Sequence, residues 1–171
     1  MSANDRVTDV VGPVVTGFGL ALDGVDVSAA GKRRLVRVTL DKVPPVDADG
    51  WTTTSTAPLT LDDVAEVSRA VSEALDAADV LGAVPYVLEV SSPGVGRRLR
   101  EPRHFRRNVG RILEVTTDSG TLTGRVVRAD DVGVELRLDP TTGPAGDPTL
   151  PYAAITRAAV QVEFAEPSER N

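Results

Sequence analysis

Seven arginines crowd the stretch from Arg97 to Arg111: Arg97, Arg98, Arg100, Arg103, Arg106, Arg107 and Arg111. Each guanidinium is a permanent planar cation whose forked N–H groups match phosphate oxygens. The chemistry open to such a run is a grip on the phosphates of a nucleic acid. Phe105 is the only aromatic residue in the run. Recognition should therefore favour backbone and shape over base sequence. The opposing reading is an interdomain hinge whose arginines pair with carboxylates of both domains.

A second chemistry starts at the same place. Gly94-Val95-Gly96 follows a strand-like run and resembles the first half of a dinucleotide fingerprint, where a helix N-terminus receives pyrophosphate. The sixth position is Leu99, however, and Pro102 interrupts the helix that the motif requires. Ser91 and Ser92 lie outside a G-x-S-x-G elbow. His104 is the only histidine and there is no cysteine. A Ser-His-Asp arrangement would hang on that one imidazole, for which a surface or packing role is simpler. Asp47 and Asp49, Asp62 and Asp63, and Asp130 and Asp131 lack the spacing of a calcium loop. Capping and turn formation account for them. The expectation is a non-enzyme, with no catalytic residue, cofactor, metal or small-molecule substrate.

The net charge of −6 over 171 residues argues weakly against nucleic acid, but the charge is unevenly spread. Residues 1–90 carry 14 acids and 7 bases, residues 91–128 carry 3 and 9, and residues 129–171 carry 8 and 3. With a Debye length of about 8 Å at physiological salt, a central positive patch acts locally whatever the overall sign. No apolar run approaches the ~20 residues that span a bilayer. The opening MSANDRVTDVV has no basic start followed by an apolar block. A cytoplasmic protein without a membrane partner is expected.

Around the arginines, two patterns of periodicity meet. Val7, Val10, Val11, Val14 and Val15 share a helical face, with Asn4 as candidate N-cap and Pro13 as a kink. Leu20 to Val27 and Val36 to Leu40 alternate as a hairpin about Ala29-Ala30-Gly31-Lys32. VPPVDADGWTTTSTAP, residues 43–58, reads as an exposed loop, with Trp51 packed back onto its own domain. Thr60 and Asp63 form a capping box ahead of a helical face of Val64, Val67, Val71 and Leu75. Tyr86 to Val90 is then a strand. Helix, strand, strand, helix, strand predicts a small mixed sheet with a right-handed crossover. Beyond Asn108 only short strands follow: Ile112–Val115, Leu122–Val127, Val132–Leu138, Leu150–Ile155 and Ala159–Phe164. These suggest a small antiparallel barrel, with DPTTGPAGDP as a long loop and AEPSERN as a frayed tail. The fold class is α+β. Its expected parts are an α/β domain over 1–93, an arginine-rich connector over 94–102, and a β-barrel domain over 103–171.

"YVLEVSSPGVGRRL", followed by "HFRRNVGRILEV", resembles the signature of the bacterial ribosome maturation factor RimP family. The likeness extends to "LTLDDVAEVSRAVSEALD" and "AITRAAVQVEF". It implies a C-terminal Sm-like, or SH3-like, barrel and a non-enzymatic factor that binds the free small ribosomal subunit during maturation. Its partners would be ribosomal RNA and a basic ribosomal protein, and the chain would act as a monomer. The matching positions are Ser91, Ser92, Pro93, Gly94, Arg97, Leu99, Phe105 and Gly110. All but Arg97 would serve as the structural turn and domain junction. One position departs from the pattern: Arg98 stands where the family turn has proline. The alternative is a general RNA-binding or protein-interaction module not specific to ribosomes.

Overall fold

The computed structural model describes residues 1–93, 97–139, 141 and 146–163. Gly94, Val95 and Gly96, half of the DPTTGPAGDP loop, Phe164 and the AEPSERN tail lie outside them. The chain is a mixed α+β protein with two sheets, and it divides into two compact units.

The first unit comprises Met1–Val43 and Ala57–Pro93. Its elements are α1 (Ala3–Gly17), β1 (Leu20–Ala30), β2 (Arg33–Lys42), α2 (Leu61–Ala78) and β3 (Tyr86–Ser91). This is the order that the periodicity predicts. Ser2, not Asn4, caps α1: its hydroxyl accepts from the Asp5 N–H, and Asp5 returns a bond to the Ser2 N–H. The Asn4 side chain instead accepts from Val27 N–H at 2.9 Å and ties α1 to β1. Pro13 sits inside α1 on its exposed side. Thr60 and Asp63 cap α2 reciprocally, as their spacing predicts.

β1 and β2 are antiparallel and turn at Gly31, whose φ of 63° suits a residue without Cβ. β3 lies parallel to β2, from Arg34 opposite Tyr86 to Thr39 opposite Ser91, so α2 is the crossover. The alternating side chains Val36, Val38 and Leu40 face inward onto Val7, Val11 and Val15 of α1 and Val67, Val71 and Leu75 of α2. Each is almost wholly buried, and such burial stabilises by about 1.5–3 kcal/mol per side chain.

The second unit comprises Pro44–Thr56 and the described residues from Arg97 onward. It holds α3 (Pro102–Arg107), β4 (Ile112–Thr117), β5 (Gly120–Ala129), β6 (Gly133–Leu138), β7 (Thr149–Pro151) and β8 (Ile155–Val160). The sheet order is β7-β6-β5-β4-β8, antiparallel throughout. Among the described residues the sheet is open, where a closed barrel was expected. β7 has three residues, all paired to β6, and a single 3-10 turn at Tyr152–Ala154 then leads into β8. That turn also shifts the last two strands from their expected bounds, Leu150–Ile155 and Ala159–Phe164.

The polar loop departs further from expectation. Its tip is exposed, but Thr52 is fully buried and pairs with Ala129 at the end of β5. Thr52 N–H donates to Ala129 O at 2.8 Å, and Ala129 N–H returns a bond at 3.1 Å. Thr52 Oγ1 donates to Pro45 O at 2.6 Å. The Arg128 guanidinium stacks over the Trp51 ring at 4.1 Å. Trp51 therefore packs on β5 of the second unit.

Candidate nucleic-acid interface

The arginine run begins as an extra strand edge. Arg98 bridges Ala159, and Leu99 N–H donates to Ala158 O at 2.8 Å, so this segment lies along β8. Leu99 turns inward, 8% exposed, and joins the core with Phe105. Arg97, Arg98 and Arg100 are exposed. Alternation along an extended segment sets Arg98 and Arg100 on the face opposite Leu99, because neighbouring side chains point to opposite faces.

Next comes α3, with Pro102 in its first turn, where the missing N–H breaks no helical bond. Phe105 is 2% exposed, and its ring centroid lies 4.7 Å from that of Tyr152. His104 is buried too. Its Nδ1 accepts from Arg100 N–H at 3.0 Å and Glu101 N–H at 3.2 Å, which satisfies two backbone donors at the helix start. Burial, aided by the Arg103 charge, holds the imidazole below its usual pKa and favours the neutral acceptor form. Asn108 Nδ2 donates to His104 O at 2.7 Å and closes the other end of the helix.

Arg103 is half-buried and bonds Glu101 at 2.8 Å. Such a solvent-facing pair is worth about 0–1 kcal/mol and opens readily. Arg107 is half-buried and Arg111 exposed. Arg106 departs from the phosphate-gripping expectation for the run. It is 6% exposed and donates to Thr52 Oγ1 at 3.1 Å, Gly50 O at 3.0 Å and Asp131 Oδ1 at 2.9 Å. A guanidinium with its donors committed to the loop is a structural clamp, not a phosphate ligand.

The remaining sequence-derived positions separate. Ser91 ends β3 opposite Thr39; it and Ser92 are exposed, and Pro93 is half-buried. All three belong to the first unit, and Gly94 lies outside the described residues. Gly110 has a φ of 88° and donates to Val126 O at 2.9 Å. Sequence reasoning missed three contributors: Thr52, Asn108 and Arg157. Arg157 is an exposed cation of β8 beside the run. Its only sequence signal is a lone arginine in the alternating segment "AITRAAV".

Among the described residues, no three His, Asp or Glu side chains gather where they could hold a metal ion. No helix among them is long and apolar enough to cross a membrane. Fold and site together define a class: a small two-unit α+β protein whose antiparallel unit carries an arginine-studded edge and helix. Within that class, the family profile described as the RimP N-terminal domain matches residues 10–96. Similar proteins include the ribosome maturation factor RimP of Kineococcus radiotolerans, 42% identical over 97% of this chain and 83% of its own. Another is the ribosome maturation factor RimP of Frankia casuarinae, 42% identical over 85% of this chain but 54% of its own. The chain belongs to the RimP family.

Proposed function

We propose that this protein is a non-enzymatic ribosome assembly factor that binds the free small ribosomal subunit and assists its maturation. The observation that carries the RNA-contact part of this reading is a row of exposed guanidinium groups on the second unit. Arg98, Arg100 and Arg111 are exposed and have no carboxylate partner among the described residues. An arginine without an internal partner has its fork available for an external anion. Arg97 is exposed and Arg103 and Arg107 are half-buried, while Arg106 stays inside. The acidic first unit complements a basic ribosomal protein. The names of the two relatives support the ribosomal setting.

The strand order β8-β4-β5-β6-β7, with one 3-10 turn joining the two edge strands, supports reading the second unit as Sm-like or SH3-like. The protein acts as a cytoplasmic monomer, with a junction near residues 94–102. Sucrose-gradient sedimentation with free small subunits and with joined ribosomes tests the function. Co-migration with the free subunit alone is expected; equal binding to both particles would sink the assembly role.

A further inference from the structure

Arg100 and Arg157 both line a hollow of about 230 Å³. We propose that this hollow is a single-nucleotide site for unpaired RNA, with one phosphate held between the two guanidinium groups. The inference rests on the RNA-binding reading above. It adds to that reading a defined pocket and a residue, Arg157, that lies outside the basic run.

The approach of the two arginines follows from register. Arg98 bridges Ala159 and Leu99 N–H donates to Ala158 O, and continuing that antiparallel register by two residues from the bridge brings Arg100 toward Arg157. Like charges directly opposite on paired strands are unfavourable. Neither guanidinium has a hydrogen-bonding or carboxylate partner among the described residues, and no acid lines the hollow. The hollow therefore carries two uncompensated cations in its lining, which a phosphate between them would neutralise.

Size and lining narrow the ligand. The hollow is smaller than the roughly 300–1,000 Å³ typical of drug-sized ligands, so it suits one base or ribose rather than a dinucleotide cofactor. Buried Leu99 and Phe105 form its base, and half-buried Tyr152 and Ile155 its sides. Tyr152 is held in place by its hydroxyl, which donates to Asp130 O at 2.7 Å, and by its contact with the Phe105 ring. An apolar, aromatic-sided hollow beneath paired cations matches the recognition of single strands, in which bases are splayed onto rings while arginines track the backbone. A paired duplex keeps its bases stacked and cannot insert one.

The test is fluorescence anisotropy of the intact chain with a labelled 12-nucleotide oligouridine, across a salt series, alongside thermal melts. Arg157→Gln is expected to weaken binding about five- to tenfold, as loss of a charge-assisted contact does. The log–log salt slope should fall by about 0.7, the single-strand value for one phosphate. The melting temperature should hold or rise, because one of two neighbouring like charges disappears. Arg100→Gln/Arg157→Gln should weaken binding further, while affinity for an RNA duplex should be insensitive to Arg157→Gln. If wild type binds oligouridine and Arg157→Gln binds it equally at the same slope, the pocket is wrong but the RNA reading stands. A fall in melting temperature would make Arg157 structural and overturn the pocket. So would displacement of the RNA by oligoglutamate at equal charge. If wild type binds neither oligouridine nor the small subunit, both readings fall.

Discussion

Arg106 Nη1 donates to Thr52 Oγ1 at 3.1 Å, joining residues 54 positions apart in sequence. The contact makes a polar loop part of the second unit and turns one arginine of the run into its fastener. Arg106→Ala should therefore lower stability by about 2 kcal/mol, since it removes charge-assisted bonds to buried acceptors. The loss stays below that of a fully buried ion pair because the partner Asp131 side chain is 87% exposed and remains hydrated. Urea titration measures it. Small-subunit binding and its salt slope should not change; a flattened slope with full stability would return Arg106 to the phosphate face.

Replacing Arg97, Arg98 and Arg103 together with Gln should weaken small-subunit binding while the fold survives. Each lost phosphate contact removes counterion release and lowers the salt dependence. The Arg103–Glu101 pair is solvent-facing, so the melting temperature should fall only slightly. Unchanged affinity with a marked drop in melting temperature would identify these arginines as the hinge instead.

His104 makes stability pH-dependent in a narrow window. Its folded pKa lies below the ordinary imidazole value of 6.5, first because of burial and then because of Arg103, with Glu101 opposing. The unfolded chain therefore takes up a proton first as pH falls, and native stability drops below about pH 6.5. Above that point the contribution is complete. Hydrogen bonds hold the Asp5, Asp63, Glu101 and Asp139 carboxyls below their ordinary values of 3.8–4.5, so their contributions are lost only at lower pH. Thermal melts from pH 8 to 5 should show the decline in wild type and lose it in His104→Gln. An identical decline in both would remove His104 from this role.

Gly110→Ala should destabilise the protein by about 1–2 kcal/mol, because a φ of 88° strains any residue with a Cβ. The added methyl would also meet the Ser55 hydroxyl of the loop. Adding Ser55→Gly should restore only the steric part of the loss, as read by the urea midpoint. Full restoration would mean that backbone conformation contributes nothing at this position.

The first unit was nearly all legible in advance because its signals are local. Valines at helical spacing, the Thr60–Asp63 box and Gly31 between two alternating runs each need only near neighbours to act. The second unit was legible in its strand count and less so in its closure and edges. A 3-10 turn at Tyr152–Ala154 has no periodicity that distinguishes it from the strands it joins.

The sequence by itself determined the order of elements, the α+β class and the concentration of arginine beside the second sheet. Caps, turns and amphipathic spacing act over a few residues, so composition and order suffice for these. Only the tertiary structure decided which arginine is buried, where residues 44–56 pack and which cation shares a hollow with Arg100. Seven chemically identical side chains differ only in what distant segments bring to them. Thr52 and Gly50 offered acceptors to Arg106, whereas β8 placed a second cation in the hollow that Arg100 lines. Backbone pairing between remote segments set those partners, and no local pattern encodes it.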